Sequence, residues 1–124
     1  MATDDVYQEF IIELYKNPLN FGKIDSPDYK AQMYNATCGD MIEIYLKAKG
    51  GTVTEAKFMG KGCAISQASS SLFMGYLKGK KTEELGKIRK EDVLALLKID
   101  LSKNPTRMKC ALLPLDALRK AIKR

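Results

Sequence analysis

The sequence contains no histidine, and only three of its 124 residues are cysteines. Without imidazole, the chain cannot form Ser–His or Cys–His dyads or histidine metal sites, and it lacks the usual general base that titrates near neutral pH. Three cysteines cannot all pair within one chain, and Cys38, Cys63 and Cys110 lie far apart in sequence. These absences argue against histidine-dependent catalysis and against a disulfide-stabilised fold.

Long hydrophobic runs are missing as well. No stretch reaches the roughly 18 consecutive apolar residues typical of a membrane helix, and the acidic start at Asp4 and Asp5 does not resemble a signal peptide. We therefore expect a cytoplasmic protein without a membrane anchor. The formal net charge is +6, but most basic residues are scattered. This charge suits an anionic ligand or an acidic partner protein, and it does not indicate nucleic-acid binding.

Length and composition indicate one domain that spans residues 1–124. Hydrophobic residues make up 45% of the chain and charged residues 29%, which is ordinary for a globular protein. A helical period before Asn17 is followed by loop signals and then by period-two alternation, which predicts three strands within 29–33, 42–47 and 53–59. Gly50 and Gly51 supply a hairpin turn, and Val53 falls off the alternation as a β-bulge residue would.

Helical periodicity returns after Gly62. It predicts one helix with an apolar stripe at Ile65, Ala68, Leu72 and Tyr76, two short helices at 82–85 and 91–97, and a terminal helix over 105–122. Pro114 predicts a kink or break that leaves the carbonyl of Cys110 free, because proline has no N–H to donate to it. The fold class is therefore α+β, with a three-stranded antiparallel sheet and helices packed on one side of it.

The serine run at 69–71 has no accompanying base. A catalytic serine is therefore a weaker interpretation than a close-packing helix face.

Each cysteine is predicted in a turn or at a helix start. Cys38 precedes Asp40 by two residues at a bend, and Cys63 opens a helix, where the macrodipole and free N–H groups favour a thiolate. Cys110 follows the cation Lys109. The alternative is that each cysteine is a small buried apolar residue and that Asp40 caps a turn. No Cys-x-x-Cys pair is present, so spacing alone leaves both interpretations open.

Four segments resemble the motifs of the IscU/NifU/SufU-type iron-sulfur cluster scaffold proteins. They are Asn-Pro-Leu-Asn-Phe-Gly at 17–22, Cys-Gly-Asp at 38–40, Gly-Cys-Ala-Ile-Ser-Gln-Ala-Ser-Ser-Ser at 62–71, and Arg-Met-Lys-Cys-Ala at 107–111. Each motif is short, but their number and order over nearly the whole chain make the resemblance specific.

The resemblance implies a scaffold or carrier rather than an enzyme. A cluster, expected to be [2Fe-2S], would be built on Cys38, Asp40, Cys63 and Cys110, with Lys61, Arg107 and Lys109 as possible stabilisers of thiolate or sulfide. The sulfur would come as persulfide from a cysteine desulfurase, with an iron or electron donor as a further partner. The finished cluster would pass to acceptor apoproteins such as ferredoxin, and a homodimer is allowed.

Two departures from the family pattern bear on this expectation. Lys109 stands where many scaffolds have histidine, and a charged ammonium has no lone pair for a metal. The segment Lys-Asn-Pro-Thr-Arg at 103–107 replaces the chaperone-recognition segment, so a chaperone-assisted release step is not expected. The SufU branch shares the lysine, and its members can hold zinc and transfer sulfur. A zinc-dependent sulfur-transfer partner of a cysteine desulfurase is therefore the alternative, although the SufU insertion between Cys63 and Cys110 is missing.

Overall fold

One helix precedes the sheet, and the remaining helices follow it. The computed structural model describes residues 2–36 and 39–123, with the side chains of residues 8–36 and 39–123. In chain order the elements are α1 (Ala2–Lys16), β1 (Tyr29–Asn35), β2 (Asp40–Lys49), β3 (Thr52–Lys61), α2 (Ala64–Leu77), a 3-10 helix (Thr82–Lys87), α3 (Lys90–Leu97) and α4 (Pro105–Ile122). None of the helices in these residues is both long and apolar enough to cross a membrane.

The three strands form one antiparallel sheet in the order β1-β2-β3. Ile44 at the centre of β2 pairs with Ala31 on β1 and with Phe58 on β3. All three side chains are buried in one core together with side chains of α2 and α4, because directly paired residues of neighbouring strands point to the same face of the sheet. The prediction of a three-stranded sheet with helices on one side is therefore confirmed.

A β-bulge lies near the hairpin end of the sheet. Lys47 pairs with Glu55, whereas Ala48 pairs with Val53, so Thr54 is an additional residue in β3. The irregularity that the sequence predicts at Val53 is thus confirmed. Beyond the bulge, pairing continues to Met41 and Lys61, so the start of β2 and the end of β3 lie side by side.

Helix α2 is the central helix of the fold, since it packs against α1, α4, α3 and β3. The predicted apolar stripe is not its most buried face: Ile65, Leu72 and Tyr76 are only half-buried. The most buried positions include the serines at 69–71 and the large side chains of Phe73 and Met74. Small residues allow neighbouring elements to approach closely on several sides, which confirms the close-packing interpretation of the serine run.

The loop before β1 is fixed to the outer edge of β3 and to α2. The N–H of Phe58 donates to the carbonyl of Asn20 at 3.0 Å, and the N–H of Gly22 donates to the carbonyl of Phe58 at 2.9 Å. The side-chain amide of Asn20 donates to the carbonyl of Ser71 at 3.1 Å. This segment therefore covers a sheet edge, which would otherwise present unpaired backbone groups.

Of the kink or break expected at Pro114, the break is wrong, because α4 runs continuously from Pro105 to Ile122; the kink stays a prediction. A proline inside a helix costs roughly 3 kcal/mol. Leu113, Leu115 and Leu118 are all buried on this helix, and burial of each such side chain contributes about 1.5–3 kcal/mol. Packing of the apolar side chains therefore outweighs the loss of one helical hydrogen bond.

Tyr45 lies on the sheet face opposite the helices, yet it is only 3% exposed. Its hydroxyl donates to Glu43 Oε1 at 2.5 Å, and Lys30 Nζ lies 5.6 Å from the centre of its ring. Burial, followed by the hydrogen bond and the negative charge of Glu43, raises the pKa of Tyr45 from 10.0 to about 12. The neutral phenol is therefore the form that the fold stabilises.

This pKa predicts how stability changes at high pH. From pH 10 upward the unfolded chain loses a proton that the folded protein keeps until about pH 12, so the free energy of unfolding should fall with pH across that window. Urea unfolding of wild type and Tyr45→Phe at several pH values between these limits measures the effect, with Tyr34→Phe as the control at an exposed tyrosine. Equal pH slopes for wild type and Tyr45→Phe would contradict the assignment.

Candidate metal centre

Three of the four predicted ligand residues meet at one end of the sheet. Asp40 is the first residue of β2, Cys63 directly precedes α2, and Cys110 lies in the second turn of α4. A carboxylate oxygen of Asp40 and the two Sγ atoms all lie within 4.8 Å of one another. Cys38 lies outside the described residues, so its place in the site remains a prediction.

Cys63 stands at the junction between the sheet and α2. Strand β3 ends at Lys61, and Cys63 is the N-cap of α2 with an extended backbone (φ −74°, ψ 168°). Its carbonyl accepts the N–H of Gln67 and the hydroxyl of Ser66, each at 3.1 Å. The prediction that Cys63 opens a helix is confirmed.

Asp40 connects the start of β2 with the start of α2. Its Oδ1 accepts the N–H of Cys63 at 3.0 Å, and its Oδ2 lies 3.7 Å from Cys63 Sγ. The residue is only 1% exposed, and a buried carboxylate requires hydrogen-bond donors to offset the loss of water. Asp40 therefore reaches a helix start 23 positions away, which is more than local turn capping.

Cys110 has a different setting from the one that the sequence suggests. It lies inside α4, and it is 1% exposed. The expectation of a turn or helix-start context is wrong for this residue, because the face of α4 that carries it packs into the protein. Burial alone would suit a small apolar residue. The presence of a carboxylate oxygen and a second sulfur within 4.8 Å favours the ligand interpretation.

The side chains of Lys61, Arg107 and Lys109 are exposed, and their role as stabilisers of thiolate or sulfide stays a prediction. Arg107 also lines a cavity of about 480 Å³. Ile65, Ile99 and Asp100 line the same cavity, and so does Ala64, the residue that follows Cys63 in the sequence. The described residues that line it do not include Asp40, Cys63 or Cys110, so the cavity is not part of the candidate metal centre.

The donor set fits the metals that the sequence suggests. Zinc binds thiolate at about 2.3 Å and carboxylate oxygen at about 2.0–2.2 Å, usually in a tetrahedron. Donor atoms at such distances are roughly 3.8 Å apart, so the observed 4.8 Å limit requires only a small contraction. Thiolates also hold iron in iron-sulfur clusters. Asp40, Cys63 and Cys110 would supply three of the four ligands in either case.

The fold and the site together define an α+β domain in which two thiols and a buried carboxylate at one end of the sheet could hold a metal ion. The NifU-like N terminal domain family matches residues 6–124. The chain therefore belongs to this family, as the resemblance implies.

Two curated relatives carry different names. The zinc-dependent sulfurtransferase SufU of Bacillus subtilis is 37% identical, over 96% of this chain and 90% of the relative. The iron-sulfur cluster assembly scaffold protein IscU 1 of Archaeoglobus fulgidus is 38% identical, over 94% of this chain and 74% of the relative. A crystal structure described as a putative iron-sulfur cluster assembly scaffold protein for the SUF system from Fervidobacterium islandicum is 30% identical. It has a TM-score of 0.77 and covers 93% of this chain and 95% of that one.

Gly62, which the sequence places just before the helix start and within the motif at 62–71, lies against Asp40 in the candidate site. An ideal Cβ at this position would lie 2.4 Å from Asp40 Oδ1 and 2.8 Å from Ser66 Oγ. Real Cβ atoms essentially never make contacts this short, so any side chain at position 62 would displace the carboxylate. The Gly-Cys pair is visible in the sequence. The need for glycine at position 62, however, comes from Asp40, which is far away along the chain.

We expect Gly62→Ala to weaken metal binding by at least about tenfold, since it displaces a ligand and the N–H that orients it. The control is Gly86→Ala, because a Cβ at Gly86 would meet only Ile122 Cδ1 at 3.8 Å. Zinc affinity by chelator competition, together with thermal unfolding, measures both variants.

The same substitution should have a smaller effect in an Asp40→Ala background, because the clashing carboxylate is then gone. Additive losses in the double variant, or wild-type affinity in Gly62→Ala, would contradict this account.

Proposed function

We propose that this protein is a scaffold on which a labile iron-sulfur cluster of the [2Fe-2S] type is assembled and then released. The observation that carries the proposal is the cluster of one Asp40 oxygen and the sulfurs of Cys63 and Cys110 within 4.8 Å. Scaffold proteins among the family relatives support it. Sequence identity does not distinguish the two functions named for these relatives, since one relative is 37% and the other 38% identical to this chain. The choice therefore depends on the chemistry of the ligands.

The ligand set suits temporary rather than permanent binding. Stable clusters are usually held by four thiolates, whereas here Cys38, Cys63 and Cys110 would supply three and Asp40 a carboxylate oxygen. Soft thiolate suits cluster iron better than a hard carboxylate does. The iron at Asp40 is therefore the one whose protein ligand an acceptor thiol can replace most readily. A cluster held in this way can be built on the protein and still leave it.

The sulfur of the cluster requires partners. A cysteine desulfurase would deliver sulfur as a persulfide, and each sulfane sulfur must gain two electrons to become sulfide. Assembly therefore needs an electron donor besides a source of iron. The exposed cations Lys61, Arg107 and Lys109 would attract the anionic reactants, and acceptor apoproteins such as ferredoxin would take the product. In this role the protein is a carrier rather than an enzyme.

The second candidate is a zinc-dependent sulfur-transfer function. It is favoured by the relative named as a zinc-dependent sulfurtransferase, which shares 37% identity over almost all of this chain. The same three thiolates and one carboxylate can form a tetrahedral zinc site. Zinc would also be able to occupy the cluster-free scaffold, so zinc content alone does not decide between the two functions.

Anaerobic reconstitution separates these candidates. Incubation with iron, cysteine, a cysteine desulfurase and dithiothreitol as reductant should yield a sulfide-containing chromophore that apo-ferredoxin then takes up. Cys63→Ser and Cys110→Ser should lose the chromophore while far-UV circular dichroism keeps its helical signal, because the helices depend on apolar packing. Stoichiometric zinc that persists and raises desulfurase turnover without a chromophore would overturn the scaffold proposal.

Asp40 should control cluster release. As a labile ligand that an acceptor thiol displaces, or as a group that helps this thiol displace a neighbouring ligand, Asp40 speeds exchange at its iron, so Asp40→Ala should give a cluster that persists longer and transfers more slowly to apo-ferredoxin. A single zinc ion needs all four donors around one atom, so the same substitution should weaken zinc binding. The control is Asp25→Ala, which removes an exposed carboxylate. If Asp40 were only a cap, its loss would reduce fold stability by roughly 1 kcal/mol and leave transfer unchanged. The rates of cluster transfer from wild type and Asp40→Ala, measured at matched cluster loading, distinguish the two roles. Equal rates would show that Asp40 takes no part in release.

A further inference from the structure

Three consecutive buried serines on α2 use their hydroxyls in three different ways. Ser69 Oγ donates to the carbonyl of Ala111 on α4 at 2.5 Å. Ser70 Oγ donates within α2, to the carbonyl of Ser66 at 2.7 Å. Ser71 Oγ has no hydrogen-bond partner among the described residues. Of these three hydroxyls, only that of Ser69 connects two helices.

The acceptor of Ser69 lies in the turn of α4 that holds Cys110. Ala111 directly follows Cys110, and Pro114 is four residues after Cys110. Pro114 cannot supply the regular helical donor for the Cys110 carbonyl, and a proline ring presses against the carbonyl at this spacing. The regular hydrogen-bond pattern is therefore interrupted at Pro114, although the helix itself is continuous from Pro105 to Ile122. Ser69 adds a hydrogen bond there from outside the helix.

The donor lies on the helix that begins next to the other cysteine. Ser69 follows Cys63 by six residues, which is about 9 Å along a helix axis. Both Ser69 and Ala111 are buried, at 1% and 0% exposure, so water does not compete for this hydrogen bond. A rigid helix on one side and a short hydrogen bond on the other thus connect the backbone of Cys63 to that of Cys110.

We propose that Ser69 is a positioning residue that sets the distance between Cys63 and Cys110 for metal binding. The inference rests on the proposed function only in taking these two cysteines as ligands. Residues that orient metal ligands from outside the coordination sphere typically change affinity by 10–100-fold when they are replaced. If Ser69 only helped the helices to pack, its loss would reduce stability and leave the affinity of the folded protein unchanged.

The chain provides a matched control for this test. Ser69→Ala and Ser71→Ala each remove one buried hydroxyl from α2, but only the first removes a hydrogen bond to α4. Cobalt(II) is the probe, because its absorption spectrum reports both sulfur ligation and coordination geometry. Anaerobic titration and chelator competition with each folded variant give affinity, and thermal unfolding of the metal-free protein gives stability.

We expect Ser69→Ala to bind cobalt about tenfold more weakly than wild type, with an altered spectrum, and Ser71→Ala to match wild type in both. Ser69→Thr keeps the donor, so it should retain wild-type affinity even where its added methyl group lowers stability. This variant keeps the test decisive if Ser69→Ala does not fold. Wild-type affinity and spectrum in Ser69→Ala, or a loss of affinity in Ser69→Thr beyond that of Ser71→Ala, would overturn the inference.

A different result would show that the proposed function, and not the role of Ser69, is wrong. If wild type and Cys110→Ser bind cobalt equally well, Cys110 is not a ligand, and the assignment of the metal centre fails whatever Ser69 does. If Cys110→Ser loses binding while Ser69→Ala keeps it, only the role of Ser69 fails. The two failures are therefore distinguishable.

Discussion

The hydrogen bond from the Cys63 N–H to Asp40 is the contact on which the candidate metal centre depends. It joins the first residue of β2 to the residue that begins α2, and it supports a carboxylate that is almost fully buried. Such a carboxylate is costly without donors, and the N-terminus of a helix is a favourable place for its charge. The absence of a side chain at Gly62 is required by the same contact. The geometry at this end of the sheet therefore restricts which residues can occupy positions 40, 62 and 63.

The rest of the fold gives this contact a fixed frame. The register of β2 against β3 brings Met41 opposite Lys61, so Asp40 and Gly62 meet where the paired strands finish. Packing of α2 against both β3 and α4 then places Cys110 beside them. Each of the three candidate ligands is thus supplied by a different part of the fold, and their mutual distances depend on how those parts pack.

Local pattern was sufficient to predict the sheet, the bulge near Val53 and the helix start at Cys63, because each depends on residues close together in sequence. It failed for Cys110 and for α4 at Pro114, where tertiary packing decides: several buried side chains outweigh one helix-breaking residue. The roles proposed for Gly62 and Ser69 could not be predicted for a related reason. Their partners, Asp40 and Ala111, are 22 and 42 positions away, so a local sequence pattern cannot predict these contacts. The grouping of the cysteines with Asp40 came from the family resemblance rather than from spacing.

The net charge of the metal-bound site does not distinguish zinc from an iron-sulfur cluster. Three thiolates and one carboxylate carry four negative charges, and either Zn²⁺ or an oxidised [2Fe-2S] core formally leaves two of them uncompensated. The excess of basic residues would stabilise both forms equally. What differs is the demand on each ligand, since a single zinc needs all four donors around one atom, whereas a two-iron core divides them between two atoms. A weak oxygen ligand can therefore open one iron to an acceptor while thiolates retain the other. This division favours the scaffold role for a site that contains Asp40.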